Sequence, residues 1–97
     1  MNFEVIWSDR AKIEAAALLL YLKTEFGDSA VQDCMDDVER IISVLSRFSL
    51  VFPPFQGKSI RRGVVNKHLS IFYRLEDDQV EILSFWDNRR NLKKLKL

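Results

Sequence analysis

Residues 68–91 read HLSIFYRLEDDQVEILSFWDNRRN, two apolar runs separated by a short polar segment. In the first run, Leu69, Ile71, Tyr73 and Leu75 alternate with His68, Ser70, Phe72 and Arg74. In the second run, Glu81, Leu83 and Phe85 alternate with Val80, Ile82, Ser84 and Trp86. This period of two predicts an antiparallel β-hairpin of His68–Leu75 and Val80–Trp86. The second strand is largely apolar on both faces, so we expect it to be central in its sheet.

Two further β-like segments lie outside this hairpin. Ser59–Val65 precedes it after a separator of only two residues, which predicts a three-stranded antiparallel meander. Phe3–Trp7 is rich in β-formers and predicts a first strand at the start of the chain. Ser49–Gly57 contains two successive prolines and is predicted to be a loop.

The first strand is followed by a predicted helix that runs to about Phe26. Ser8 or Asp9 can cap its free amides, and Gly27 is the residue best suited to end it with a positive φ angle. Its apolar residues cover more than one face of the helix. We therefore expect this helix to lie between another helix and a sheet.

A second predicted helix starts at a capping-box pattern, with Ser29 as the N-cap and Gln32 at the third position. Its core-facing stripe follows at steps of three and four residues: Val31, Cys34, Met35, Val38, Ile41, Ile42, Leu45 and Phe48. The short link at Gly27 and Asp28 predicts an antiparallel helical hairpin.

The order of elements predicts an α+β fold in a single domain spanning residues 1–97. The helical hairpin is expected to pack on one face of a mostly antiparallel sheet of four strands, and the chain to end in a short helix or tail.

Composition gives a globular chain with a strong internal charge asymmetry. Hydrophobic residues make up 47% of the chain and charged residues 30%, with a net charge of +1. Residues 1–55 have a balance of −4 and residues 56–97 a balance of +5, counted from Lys, Arg, Asp and Glu. This asymmetry favours an anionic partner for the C-terminal half, although ordinary surfaces also vary this much.

The sequence predicts a cytoplasmic protein without a membrane segment. Its N-terminus lacks the basic and apolar regions of a signal peptide. The longest apolar run, Ala15–Leu22, is far shorter than the ~20 residues that span a bilayer. A single cysteine, Cys34, excludes an internal disulfide, and no cysteine pair suggests structural zinc. We expect Cys34 to be a buried, unreactive thiol.

Candidate binding residues cluster after the last strand. Arg89 and Arg90 are followed by Lys93 and Lys94, and arginine forks at a strand end can bind phosphates or carboxylates. The neighbouring strands add Arg61, Arg62 and Lys67. The alternative is a solvated basic tail in which Arg90 pairs with Asp87.

Other types of site have less support. His68 is the only histidine, which excludes metal or nucleophile sites built from several histidines. Trp7 and Trp86 could provide a stacking platform for a base, but packing in the sheet is the better interpretation. The chain has no glycine-rich phosphate loop and no carboxylate pair placed for hydrolysis. We predict neither a metal nor a cofactor.

Several motifs in this order resemble the RelE/ParE family of bacterial toxins from type II toxin–antitoxin pairs. These are Trp7-Ser8 before an amphipathic helix, then Arg61-Arg62-Gly63-Val64, Leu69–Leu75 with its Tyr73-Arg74, and Val80–Asn91 with its Arg89-Arg90. The resemblance covers nearly the whole chain. It implies neutralisation by a cognate antitoxin, and contact with operator DNA only through that antitoxin.

The resemblance implies one of two targets. RelE-like members cut messenger RNA in the ribosome, and ParE-like members block DNA gyrase. The ribonucleases have an arginine early in the middle meander strand, at about Ser70 here, and another after the last strand, matched by Arg89 or Arg90. They also have a tyrosine or histidine in the C-terminal segment, but neither follows Trp86 here. The gyrase-binding interpretation is therefore favoured.

Two alternatives to the gyrase-binding interpretation remain. The first is a ribosome-dependent ribonuclease that uses Arg89 and Arg90 as catalytic residues, with His68 or Lys67 assisting. The second is an inactive binding module with the toxin fold. In each case Arg61, Arg62, Lys67, Trp86, Arg89, Arg90, Lys93 and Lys94 are the expected contacts to target or antitoxin.

Overall fold

The computed structural model describes residues 3–56 and 59–97 and confirms the predicted α+β fold class. The elements are β1 (Glu4–Trp7), α1 (Asp9–Phe26), α2 (Asp28–Arg47), β2 (Ile60–Val64), β3 (Leu69–Glu76), β4 (Gln79–Asp87) and a 3₁₀ turn (Leu92–Lys94). The predicted loop between α2 and β2 is found, and its expected last residue, Gly57, lies outside the described residues.

The four strands form one mixed sheet in the order β1-β4-β3-β2. The meander β2-β3-β4 is antiparallel, whereas β1 pairs with β4 in parallel. Strand β4 is therefore central, as its two apolar faces predicted. β1 pairs only with Gln79–Ile82, so the second half of β4 projects beyond it.

A β-bulge changes the face pattern of β4. Phe72 lies opposite Ser84, but the next residue of β3, Tyr73, lies opposite Ile82. The register thus skips Leu83, and an extra residue on one strand reverses the alternation beyond it. Ile82 and Phe85 consequently belong to the same core cluster. The strict alternation predicted for Val80–Trp86 is wrong for this reason.

Local capping interactions define α1. The Ser8 hydroxyl accepts a hydrogen bond from the Ala11 amide at 3.0 Å, which confirms Ser8 as the N-cap. Gly27 ends the helix with φ +89°, and its amide donates to the carbonyls of Leu22 and Lys23. A positive φ at this position is accessible mainly to glycine, so the predicted helix end is confirmed.

The predicted start of α2 is wrong. The helix begins at Asp28 with Gly27 as its N-cap, and no side chain caps it. Because Gly27 alone links the two helices, Ser29 is already within the first turn and cannot act as the N-cap. The Gln32 side chain instead donates to Asp36 at 2.9 Å. Two residues of the predicted core stripe are exposed instead of buried: Met35 is 41% exposed, and Phe48, which lies just past the helix, is 65% exposed.

Helix α1 contacts both α2 and β4, as expected for a helix between these layers. Its outward face nevertheless leaves Ile13 70% and Leu20 67% exposed. The buried core lies between the hairpin and the sheet and comprises Ala11, Cys34, Leu45, Leu69, Ile71, Tyr73, Val80, Ile82 and Phe85. Within the described part of the chain, neither helix is long and apolar enough to cross a bilayer.

Candidate functional site

An apolar groove opens between the helical hairpin and the sheet, with a cavity of about 500 Å³. Its apolar lining includes Trp7, Ala15, Ala16, Leu18, Leu19, Cys34, Met35, Val38, Leu69 and Phe85. Trp7 stacks on Phe85 with ring centres 4.7 Å apart, which fixes one wall. We call this feature the hairpin groove. An open apolar space of this size fits side chains from a partner segment.

Cys34 lies in the wall of the hairpin groove and is buried, as predicted. Burial raises the pKa of its thiol, and the nearby Asp37 carboxylate raises it further. The thiolate is therefore scarce at neutral pH, and the thiol packs as a small apolar group.

A second cavity of about 270 Å³ continues the hairpin groove toward the turn between β2 and β3. Leu18, Cys34 and Leu69 line both cavities. Its polar lining residues are Tyr21, Asp33, Asp37, Asn66, His68, Asp87 and Arg89. The groove thus passes from an apolar section to a section that carries both signs of charge.

Arg89 is neutralised by a carboxylate two residues before it. Its Nε donates to Asp87 Oδ1 at 3.0 Å and its Nη2 to Asp87 Oδ2 at 2.7 Å. The hydrogen bond from Arg89 is the main cause that holds the pKa of Asp87 below its usual value, against a smaller opposing effect of burial. Arg89 also lies 5.6 Å from the Tyr21 ring. The side chain that pairs with Asp87 is therefore that of Arg89, and not that of Arg90 as the alternative of a solvated basic tail had it.

Arg90 instead covers Trp86. Its guanidinium lies 4.3 Å from the centre of the Trp86 ring, a cation–π contact. Trp86 is fully buried, which agrees with the preferred packing interpretation. Its indole Nε1–H is also buried and has no hydrogen-bond partner among the described residues.

Arg62 is held by neutral partners. Its Nε donates to the Ser70 hydroxyl and its Nη2 to Asn88 Oδ1, both at 3.2 Å. The Ser70 hydroxyl also donates to Asn88 Oδ1, at 2.6 Å. The Asn88 amide donates in turn to the main-chain carbonyls of Asn66 and Lys67. This network ties β2, β3 and the end of β4 together.

The pairing register assigns Arg62, Ser70 and Trp86 to one face of the sheet, and Asn88 and Arg90 contact these residues from the segment after β4. Ser70 lies directly opposite Trp86, and Arg62 directly opposite Phe72. Residues directly opposite in a sheet share a face, and adjacent residues on a strand point to opposite faces. Since Leu69 packs into the core beside the helices, Ser70 points away from them. We call Arg62, Ser70, Trp86, Asn88 and Arg90 the arginine cluster.

The arginines of the sheet differ in their partners. Arg74 pairs with Glu81 at 2.8 Å, and Arg61 donates to the Phe52 carbonyl at 2.7 Å. Across residues 3–56 and 59–97, no carboxylate forms an ion pair with Arg62 or Arg90. In the described sheet, guanidinium charge is therefore held without an ion pair at Arg61, by a carbonyl, and in the arginine cluster, by Ser70, Asn88 and the Trp86 ring.

The remaining predicted residues lie around these two features. Lys67 and His68 are exposed in the turn before β3, and His68 lines the polar end of the hairpin groove. Lys93 and Lys94 are exposed in the terminal 3₁₀ turn. No group of three or more histidine, cysteine or acidic side chains in the described residues could hold a metal ion.

The sequence alone does not indicate that Asn88 and Ser70 hold Arg62 in position. Asn88 is one polar residue in a basic run, and Ser70 is one small polar residue in a predicted strand. The signal that could have identified them is the cross-strand register, because pairing Ser70 with Trp86 brings Asn88 next to it. That register also depends on the bulge at Leu83, which no local pattern predicts.

Comparisons with known proteins give similarity in structure only. No protein-family model and no curated protein sequence matches the chain. A structure of the ParDE toxin–antitoxin system of P. aeruginosa matches 88% of this chain and 95% of that chain, with a TM-score of 0.77 and 14% identity. The E. coli DinJ–YafQ complex matches 92% and 96%, with a TM-score of 0.63 and 15% identity. The YoeB dimer from Staphylococcus aureus matches 87% and 94%, with a TM-score of 0.61 and 10% identity. The chain thus has the fold shared by these toxins.

Proposed function

We propose that this chain, which has the RelE/ParE toxin fold, is the toxin of a type II toxin–antitoxin pair and is neutralised by a cognate antitoxin. The hairpin groove is the observation that carries this proposal. Its α1 wall extends from Lys12 to Leu19, and Ala16 and Met35 in its walls are exposed to solvent. Exposed apolar surface of this kind is costly in water and is typical of a protein-binding site.

The antitoxin segment is proposed to occupy the hairpin groove with apolar side chains. Two of the similar structures are described as toxin–antitoxin assemblies, ParDE and DinJ–YafQ, which supports a partner of this kind. Operator DNA is proposed to be reached only through the antitoxin.

Growth inhibition by binding is the favoured activity, with DNA gyrase as the proposed target. Cleavage of RNA by attack of the 2′-hydroxyl on the adjacent phosphate, with departure of the 5′-oxygen, needs a group that accepts the proton of the 2′-hydroxyl. In the described residues no histidine and no acidic side chain pairs with Arg62 or Arg90; Glu14 and Asp87, which line a cavity with Arg90, are bonded to Ser84 and Arg89.

A supercoiling assay with purified protein and gyrase tests this activity. We expect loss of supercoiling as the protein concentration rises, and recovery when the product of the adjacent reading frame is added. Supercoiling that is unaffected by a large excess of the protein contradicts the gyrase proposal.

A second candidate activity is ribosome-dependent cleavage of messenger RNA. It is favoured by one observation: His68, Tyr21 and Arg89 line the same cavity, which gives that cavity an imidazole, a phenol and a guanidinium. Primer extension on messenger RNA after induction distinguishes the two activities. New 5′ ends support cleavage, whereas growth arrest without them supports binding. Induction without growth arrest supports an inactive binding module.

A further inference from the structure

Arg62 carries a charge that its surroundings do not compensate. Its side chain is partly buried beside the Phe72 ring, 6.0 Å from the ring centre, and its two hydrogen-bond acceptors are the neutral groups of Ser70 and Asn88. A guanidinium that loses part of its water shell and gains no anion is unfavourable. This cost is recovered when a partner supplies the anion.

The network around Arg62 orients the guanidinium and does not neutralise it. Asn88 Oδ1 accepts from both Arg62 and Ser70, and Asn88 Nδ2 donates to two carbonyls, so this side chain has no donor left. Arg62 Nε and Nη2 are occupied, and Nη1 has no described partner. The free edge of the guanidinium is thus held in a fixed direction before any partner arrives.

A second fixed charge lies next to this network. Ser70, which binds Arg62, is directly opposite Trp86, and Arg90 lies over the Trp86 ring. Two guanidinium groups therefore lie beside a single pair of cross-strand residues, Ser70 and Trp86.

We infer that the arginine cluster binds carboxylate side chains of an acidic segment in the protein partner, with Arg62 as the principal contact. The existence of that partner rests on the proposed function. Arginine forks bind carboxylates through paired hydrogen bonds, and residues 56–97 carry a balance of +5. The hairpin groove accepts the apolar part of the partner, and Arg62, on the opposite face of the sheet, accepts its acidic part.

Burial of the aromatic rings favours a carboxylate over a nucleic acid. Proteins that bind single-stranded nucleic acid stack bases on exposed aromatic side chains. Phe72 and Trp86 are both fully buried, so the arginine cluster offers no exposed ring for a base. Its recognition is confined to the anion.

Calorimetric titration of the full chain with two probes tests the inference. The probes are an acetylated and amidated hexaglutamate peptide and single-stranded hexauridylate RNA, at the same ionic strength. We expect the peptide to bind more tightly than the RNA. Arg62→Gln should weaken peptide binding about tenfold, whereas the control Arg74→Gln should change it less than about twofold, because Arg74 is already paired with Glu81.

Three outcomes overturn the inference. These are tighter binding of the RNA than of the peptide, no binding of the peptide to the wild-type chain, and equal losses for Arg62→Gln and Arg74→Gln. Arg62→Lys keeps the positive charge but removes the planar guanidinium that forms paired hydrogen bonds, so it should retain part of the affinity for the peptide. Near-UV circular dichroism identifies any variant that has lost its fold.

Co-purification with the product of the adjacent reading frame separates this inference from the proposed function. If the wild-type chain captures that product and Arg62→Gln weakens capture in a salt-dependent way, both are supported. If capture is unaffected by Arg62→Gln, only the carboxylate site is wrong. If the wild-type chain captures nothing, the proposed function fails, while the peptide titration still tests the arginine cluster.

Discussion

The Arg62 guanidinium donates to Asn88 Oδ1 at 3.2 Å, joining the second strand to a residue 26 positions later, just past the last strand. Asn88 accepts the Ser70 hydroxyl at the same oxygen. A single amide side chain thus holds an arginine of β2 and a serine of β3 in fixed positions. The orientation of Arg62 consequently depends on a residue that would not itself touch a bound anion.

Replacing that amide tests the network directly. Asn88→Ala leaves the Ser70 hydroxyl without its acceptor and Arg62 with one hydrogen bond fewer. We expect the free energy of unfolding to fall by about 1–3 kcal/mol, since partly buried polar groups lose their partners. Urea denaturation measures the change. Gln32→Ala is the control, because that exposed side chain bonds only to Asp36 on the same helix, and it should change stability by less than about 0.5 kcal/mol. Equal effects of the two substitutions would contradict the network's role.

The link between the two helices gives a second prediction. Gly27→Ala forces a side chain into φ +89°, and we expect a loss of about 1–3 kcal/mol in denaturant unfolding. An added Cβ would meet nothing within 4 Å, so the cost lies in the backbone alone. Ser29→Ala should change stability by less than about 0.5 kcal/mol because Ser29 does not cap α2. A loss of about 1 kcal/mol for Ser29→Ala would instead indicate a working N-cap.

The pairing of Asp87 with Arg89 predicts a dependence of stability on pH. The folded state lowers the pKa of Asp87 from its ordinary value of 3.8, chiefly through the hydrogen bond from Arg89. This contribution to stability is therefore present above about pH 3.8 and is lost as the pH falls through the lower folded value. Urea midpoints measured from pH 7 to pH 2 should fall less steeply for Asp87→Asn than for the wild type. Arg89→Gln should flatten the curve in the same way, and an unchanged slope in both variants would rule out this pair as its source.

The hairpin groove predicts where a charge prevents partner binding. Ala16 is an exposed residue in the groove wall, so Ala16→Glu should abolish co-purification with the product of the adjacent reading frame without unfolding the protein. A buried, unpaired carboxylate at an apolar interface is the physical reason. Ile13→Glu is the matched control on the outward face of α1, where the side chain is 70% exposed. If Ile13→Glu abolishes co-purification and Ala16→Glu does not, the interface lies on the outward face of α1 instead.

Several elements could be predicted because local chemistry determines them. The Ser8 cap needs only a hydroxyl before the first free amides of α1, and the Gly27 turn needs only a residue that tolerates a positive φ angle. The hairpin of β3 and β4 needs only two β-forming runs with a short polar separator. In each case the deciding interactions involve neighbours in sequence.

The capping box at Ser29 and Gln32 was wrong, although its residue pattern is suitable. Gly27 and Ser29 were both possible N-caps for α2. Because Gly27 is the only residue between the two helices, α2 begins at Asp28 and Ser29 lies inside it. A local pattern indicates which residues are chemically suited to be an N-cap. It does not indicate which of two neighbouring residues takes that position, because this depends on the length of the link between the helices.

By itself the sequence determined the two helices, the meander, the fold class and the concentration of positive charge in residues 56–97, because residue type and period decide these features. Only the tertiary structure decided which arginines remain without a counter-ion. Arg89 forms an ion pair with Asp87 and Arg74 with Glu81, whereas Arg62 donates a hydrogen bond to the neutral side chain of Asn88. Those partners depend on strand register, which the skipped Leu83 shifts by one residue. Side chains distant in sequence become neighbours only after the sheet has formed, so their pairing could not be predicted from the sequence.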